Sequence, residues 1–317
     1  MGFVYATVSA ALFSLGNVLM RRGQRQHAAD DGAIVSATIN ALVLAAMTLV
    51  AAGDDWRLLN GPGLALFFLG GVMTTGLGRL TALASVRHIG ASRAATYKVA
   101  APVFTVTGAY ALLGERLSPV QLAAAGAVLA GLWLLTVESR RAHGGAAGTG
   151  PREAAAAGEA PQAPRALGSG QGGLPAGVVY GLLSALFFGL GYVVRKQGLV
   201  YVPSAILGAA VGAAAGMMIN GALGWWRLGF RAMVDTGLRG VPRWYVAAGI
   251  AMSAGIVTQF AALDYLGASV ASIIGSTEPM WTMLLSRGLF PGQETVTAKV
   301  IAAALIIAGG VAVLVAV

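Results

Sequence analysis

The sequence predicts an all-α membrane protein: ten transmembrane helices, arranged as two inverted five-helix repeats around a central cavity. Three observations lead there. The 317-residue chain is 57% hydrophobic and only 10% charged, with a mean hydropathy of +0.75; a soluble domain of this size carries about 25% charge. Its apolar residues gather into segments long enough to cross a bilayer. One of those segments also recurs. Residues 4–23 align without a gap on residues 179–198, and nine of the 20 positions are identical: Val4/Val179, Tyr5/Tyr180, Ser9/Ser184, Ala10/Ala185, Phe13/Phe188, Leu15/Leu190, Gly16/Gly191, Val18/Val193 and Gly23/Gly198.

A bilayer core of about 30 Å needs about 20 apolar residues at about 1.5 Å each. In the first half, residues 3–20, 33–52, 62–86, 91–112 and 118–137 meet that length. Span one has no basic stretch before it and no small-residue cleavage site, so it reads as a retained helix and not a signal peptide. Gly61-Pro62-Gly63 is the turn that opens span three. Span three carries Gly70, Thr74, Gly78 and Ala82, small residues four apart that suit close helix packing. Gly114-Glu115-Arg116-Leu117-Ser118-Pro119 separates spans four and five. There Ser118 is a capping hydroxyl and Pro119 fits the first helical position. Residues 139–175, rich in Ala, Gly and Pro, read as a flexible linker.

The second half repeats the plan with residues 176–195, 203–226, 243–264, 268–287 and 295–316. Span seven has its own small-residue row at Gly208, Gly212, Gly216, Asn220 and Gly224. Residues 226–243 mix basic and apolar groups and suit the membrane surface. Pro291-Gly292-Gln293-Glu294 forms the last turn, where Glu294, like Glu115 in the first half, suits a turn or cap role. Trp56, Trp133, Trp225, Trp226 and Trp244 sit at span ends as an aromatic belt. The organisation is therefore a first repeat over 1–138, a linker over 139–175 and a second repeat over 176–317.

The repeat extends through spans four and five. Gly90-Ala91-Ser92 through Ala101-Pro102 matches Gly267-Ala268-Ser269 through Glu278-Pro279, and Gly114-Glu115 matches Gln293-Glu294. Five spans per half is an odd number, so the second copy enters the bilayer upside down. Such a duplication is the mark of a transporter with its site near the midplane between the halves.

Composition excludes much else. With no cysteine there is no disulfide, thiolate metal site or thiol nucleophile. His27, His88 and His143 are scattered, and no metal or other cofactor is implied. The net charge of +9 sits mostly at span ends, as headgroups and the positive-inside rule require, and does not point to nucleic acid. No P-loop, His-Glu-x-x-His or Gly-x-Ser-x-Gly pattern occurs, so neither ATP-driven transport nor an enzyme is supported.

The same residues resemble the drug/metabolite transporter superfamily, specifically transporters with tandem EamA-type domains. The likeness rests on Leu15-Gly16-Asn17, Gly90-Ala91-Ser92-Arg93-Ala94, Ala101-Pro102-Val103-Phe104 and Leu113-Gly114-Glu115-Arg116-Leu117-Ser118. In the second half it continues in Gly267-Ala268-Ser269 and Glu278-Pro279. It implies a ten-helix transporter of small organic solutes, often an exporter, with a cavity lined by spans 1, 3, 4, 6, 8 and 9. The first copy has Ala101 where the second has Glu278, which departs from a symmetric pair of carboxylates.

An ionisable side chain at membrane depth is costly and by default faces a functional interior. Lys98 and Arg79 are candidate anion ligands, and Glu278 is their protonatable partner. Gln259 is the repeat counterpart of Arg79. Pro102 and Pro279 free the carbonyls of residues 98 and 275, so both spans are expected to bend. Asn17 and its counterpart Tyr192, together with Tyr97, Asn40, Asn220 and Trp281, complete the candidate lining. The expected protein is a monomeric integral protein of the bacterial inner membrane. It is a secondary active exporter of an anionic or zwitterionic solute such as an amino acid, working by alternating access with protons as the candidate coupling ion. The alternatives are a lipophilic-cation (multidrug) exporter and a non-transporting scaffold or lipid-handling protein. Arginines such as Arg87, Arg140 and Arg287 favour both termini outside, whereas the resemblance favours both inside.

Overall fold

In lipid, an apolar segment can satisfy its backbone internally only as a helix or within a closed barrel, and the described chain takes the helical route. The computed structural model describes residues 1–26, 32–89, 91–144, 176–228, 243–289 and 298–316. In order these form α1 (Gly2–Gln26), α2 (Gly32–Ala51), a 3-10 turn (Gly53–Leu58), α3 (Gly61–Gly71), a π-helical stretch (Val72–Gly78), α4 (Arg79–Ile89), α5 (Ala91–Lys98), α6 (Ala101–Leu113) and α7 (Pro119–Gly144). The second half gives α8 (Ala176–Tyr201), α9 (Ala205–Leu228), α10 (Arg243–Tyr265), α11 (Ala268–Gly275), α12 (Glu278–Leu289) and α13 (Ala298–Ala316). The first six residues assigned to the linker, 139–144, extend α7. The rest of that linker, most of the basic 226–243 stretch and the Pro291–Glu294 turn lie outside the described residues.

Seven of the described helices are long and apolar enough to cross a membrane: Gly2–Met20, Gly61–Ile89, Pro119–Glu138, Ala176–Tyr201, Ala205–Ala222, Arg243–Tyr265 and Lys299–Ala316. Thr38–Ala51 in α2 is a shorter apolar stretch. The remaining two expected spans, four and nine, are not single helices. Each is split, as α5/α6 and α11/α12, and a proline is the second residue of each second piece. Proline has no N–H to continue the ladder, and its ring displaces the preceding turn.

The two breaks have the same local geometry. Val103 N donates to Ala100 O and Ala100 N to Tyr97 O, each at 3.0 Å. At the repeat-equivalent positions, Met280 N donates to Thr277 O at 2.9 Å and Thr277 N to Ile274 O at 3.0 Å. Short i to i−3 bonds thus bridge both breaks where the wider helical bonds are lost. The pieces also meet in the interior. Thr105 Oγ1 of α6 lies 2.9 Å from Ser272 Oγ of α11 and donates to the Gly189 carbonyl of α8 at 3.1 Å.

The π-helical stretch widens the turn between α3 and α4, which leaves backbone acceptors without their usual helical donors. Neighbouring side chains supply them. Ser184 Oγ donates to the Gly78 carbonyl at 3.0 Å, and Asn220 Nδ2 reaches the Thr75 carbonyl at 3.4 Å. At the periphery, α7 and α13 pack through Gly131 and Gly310. A Cβ on either would come within 3.0 Å of the other helix's backbone carbonyl.

One end of the bundle is closed by links between distant segments. Asn60 Nδ2 donates to the Tyr201 carbonyl at 2.8 Å, and Ser204 Oγ to Asp55 Oδ2 at 2.6 Å. Glu115 accepts from the Ala268 and Ser269 amides at 2.7 and 3.1 Å and from Ser269 Oγ at 2.8 Å. A first-half turn therefore caps a second-half helix, with the acid placed where the helix dipole favours it. Beneath this Glu115 end lies the largest buried cluster, which includes Phe67, Val193, Leu199, Val202, Leu207, Phe260, Leu263 and Ala268. Glu115→Ala leaves those donors without their acceptor and is expected to cost about 2 kcal/mol. Thermal unfolding in detergent checks it; Glu115→Gln, which keeps one acceptor oxygen, should lose less.

Candidate functional site

Lys98 ends α5 and Glu278 begins α12, so the two helix breaks present opposite charges. Each suits its position: a cation at a helix C-terminus and an acid at an N-terminus are both favoured by the dipole. They meet as an ion pair, with Lys98 Nζ 3.8 Å from Glu278 Oε2. The other carboxylate oxygen accepts from Asn17 Nδ2 of α1 at 2.5 Å. Ser14 Oγ, one turn earlier in α1, lies 2.7 Å from both the Ala10 and the Glu278 carbonyls, and its single proton serves one at a time. The Lys98 ammonium also stands 5.1 Å from the centroid of the Phe188 ring in α8. The lysine side chain is 50% exposed and that of the glutamate 23%.

A second polar group lies on the α8 side. Gln259 of α10 donates to the Tyr192 hydroxyl at 2.6 Å and accepts from Arg195 Nη1 at 2.7 Å. Arg195 Nη2 donates to Thr74 Oγ1 in the π-helical stretch. Arg195 is 6% exposed, and its guanidinium is 5.2 Å from the Phe260 ring centroid. Tyr192 lies close to the second break, since a Cβ on Gly275 would lie 2.5 Å from its hydroxyl.

The structure thus brings Lys98, Glu278 and Asn17 together, and Gln259 and Tyr192 together. Other candidates lie apart. Asn40 Oδ1 accepts from Ser253 Oγ at 2.9 Å, between α2 and α10. Asn220 donates to its own helix at the Gly216 carbonyl, 2.8 Å away, as well as to Thr75. Tyr97 packs against Gly181 of α8. Arg79 opens α4 and makes no ion pair among the described residues. Trp281 lines an apolar cleft of about 240 Å³ with Thr7, Thr277, Met280 and Ile307. Lys98 and Glu278 are not part of that cleft, nor of a shallower one of about 420 Å³ between α7 and α13.

Sequence reasoning missed Arg195 and Thr74. Arg195 stands beside Lys196 near the end of a span and looks like a headgroup anchor, while Thr74 looks like one more small packing residue. The available signal was the repeat: the counterpart of Arg195 is the uncharged Met20, so the duplication alone does not account for this arginine.

A family model described as the EamA-like transporter family matches residues 1–137 and 175–316. The chain belongs to the EamA-like transporter family. The two matched stretches coincide with the two copies seen in the sequence. This EamA-like chain is therefore an integral membrane transporter of the drug/metabolite type, and members of the family are transporters and not enzymes. A solved structure described only as a crystal structure of a protein matches with a TM-score of 0.70 at 18% identity. The match covers 99% of this chain and 96% of that one, a likeness of fold. No curated protein matches the EamA-like chain.

Proposed function

We propose that this protein is a secondary active transporter that exports a small zwitterionic solute, an amino acid or a close relative, across the bacterial inner membrane by alternating access. In this reading the split spans four and nine cross the bilayer with the eight others, as two inverted halves around a central path. The observation that carries it is the Lys98–Glu278 pair, one charge from each copy, held where the two helix breaks meet. A zwitterion can take the place of that pair, its carboxylate on Lys98 and its ammonium on Glu278, and the site stays neutral throughout. Burying matched charges is far less costly than burying one alone.

The geometry also supports a direction of approach. The Glu115 end is sealed by its cross-links and buried cluster, while Lys98 remains half exposed, so the solute meets the pair from the opposite end. Protons enter through the same carboxylate. When Glu278 takes a proton it releases Lys98, and the pair opens without a solute. Export is the direction that the family resemblance favours. A lipophilic cation fits less well, since it must first displace Lys98 from Glu278.

The test uses the full chain as a monomer in liposomes loaded with unlabelled amino acids. Counterflow of labelled alanine, leucine, aspartate, lysine and tetraphenylphosphonium is followed. Accumulation of alanine or leucine supports the reading. Accumulation of tetraphenylphosphonium alone replaces it with cation export, and no accumulation of any probe defeats it.

A further inference from the structure

Arg195 is a charge that the fold leaves without an opposite charge. It is 6% exposed, and among the described residues no carboxylate pairs with it. Its partners are neutral: the Gln259 amide oxygen, the Thr74 hydroxyl and the face of Phe260. Its Nε is buried with no partner at all. Its neighbour Lys196 shows the ordinary alternative, with Nζ donating to the Leu263 carbonyl in the last turn of α10 at 2.6 Å. A buried cation held only by neutral groups is costly, and a structural role does not require it.

The free atom lies on the useful edge. Nε and Nη2 form the side of the guanidinium that takes a carboxylate with two parallel hydrogen bonds. On that edge Nε is unused, and Nη2 is held only by the Thr74 hydroxyl, whose own proton goes to the Gly70 carbonyl at 2.8 Å. At the other side of the guanidinium, Nη1 is held by Gln259, which links through Tyr192 to Gly275 beside the second helix break. The π-helical stretch that carries Thr74 is of a kind that recurs at functional sites.

We propose that Arg195 is a second anion-binding station on the path, and that its Nε–Nη2 edge takes an anionic group when the Glu115 end opens. The inference rests on the transport reading above and adds to it. An anion leaving Lys98 passes Tyr192 and Gln259 to reach Arg195. The shared chemistry is a small anion, supplied either by the carboxylate of the solute or by an inorganic anion bound with it. Ligand that binds only the opened form still shows at equilibrium, because it draws the population toward that form.

The experiment is thermal unfolding of the full chain in detergent, titrated with sodium acetate or sodium chloride. The wild type, Arg195→Gln, Arg195→Lys, Thr74→Val, Lys98→Gln and Glu278→Gln are compared, so that salt effects common to all cancel. Stabilisation of the wild type, Lys98→Gln and Glu278→Gln is expected. Both Arg195 variants should need about tenfold more anion for the same shift, as the loss of charge-assisted bonds implies. Arg195→Lys and Thr74→Val keep the test open if Arg195→Gln does not fold. Acetate acting at the lower concentration assigns the station to the solute's carboxylate, and chloride acting first assigns it to an inorganic anion. Equal responses in the wild type and the Arg195 variants, or no response in the wild type, overturn the proposal. Normal counterflow in Glu278→Gln would instead strike the transport mechanism and leave this result standing.

Discussion

Glu278→Gln is expected to reduce amino-acid counterflow about 100-fold and to flatten its pH dependence. The carboxylate holds Asn17 and Lys98 directly and, in the proposed cycle, the solute's ammonium. A hydrogen bond to a charged group contributes about 1.5–3 kcal/mol. The lower part of that range suits the lysine contact, since Lys98 is half exposed and screened. Losing one solute contact of this kind costs about 2–3 kcal/mol, close to two orders of magnitude in affinity. Glutamine keeps the shape and the acceptor for Asn17, so the helix break should persist and thermal unfolding should change little. It cannot take up a proton in the working pH range, which removes the carboxylate that opens the pair. Flux measured from pH 5.5 to 8 decides the matter. A variant that still transports at the wild-type rate with the wild-type pH profile removes Glu278 from the mechanism.

Gly71→Val is expected to be strongly destabilising. Gly71 ends α3, where that helix crosses α9 with no side chain between the backbones. A Cβ there would press on the Gly212 carbonyl oxygen and lie 2.8 Å from the Gly212 Cα and 2.9 Å from the Ala215 Cβ. Neither backbone can rotate away as a flexible side chain would, so the helices must separate. Overpacking of this kind costs about 3 kcal/mol. Gly126 of α7 is the control, because a Cβ there meets nothing within 4 Å. Gly126→Ala should be neutral or stabilise by up to about 1 kcal/mol through helix propensity. Unfolding midpoints in detergent compare the two directly, and equal midpoints would contradict the packing described.

Much of this was legible in the sequence, for reasons that differ by residue. Lys98 and Glu278 stand out because an ionisable group inside an apolar run has few structural uses, and both lie close to a proline. The splitting of spans four and nine follows from Pro102 and Pro279, although the sequence suggests a bend where the structure has two separate helices. Gln259 is conspicuous too, but the repeat equates it with Arg79, whereas its arginine partner comes from α8. Partnership across helices depends on how far each one is rotated, and one copy's alignment on the other does not carry that. Glu115 looks like a residue serving its own turn, yet it caps a helix 153 positions away. Arg195 was hidden by its neighbourhood, since Arg-Lys near a span end is the usual mark of a headgroup anchor.

The wide turn at Val72–Gly78 has a consequence for anyone mapping this protein by chemical labelling. An ordinary helix presents one face with an unbroken beat, each residue advancing about 100°. Seven residues wound more loosely throw that beat out of step. Single cysteines placed through 61–89, in a chain that has none of its own, should trace one rhythm of reactivity up to Gly71. A shifted rhythm should follow from Arg79 onward, and a metronome set on the first stretch would mark the wrong side of the second.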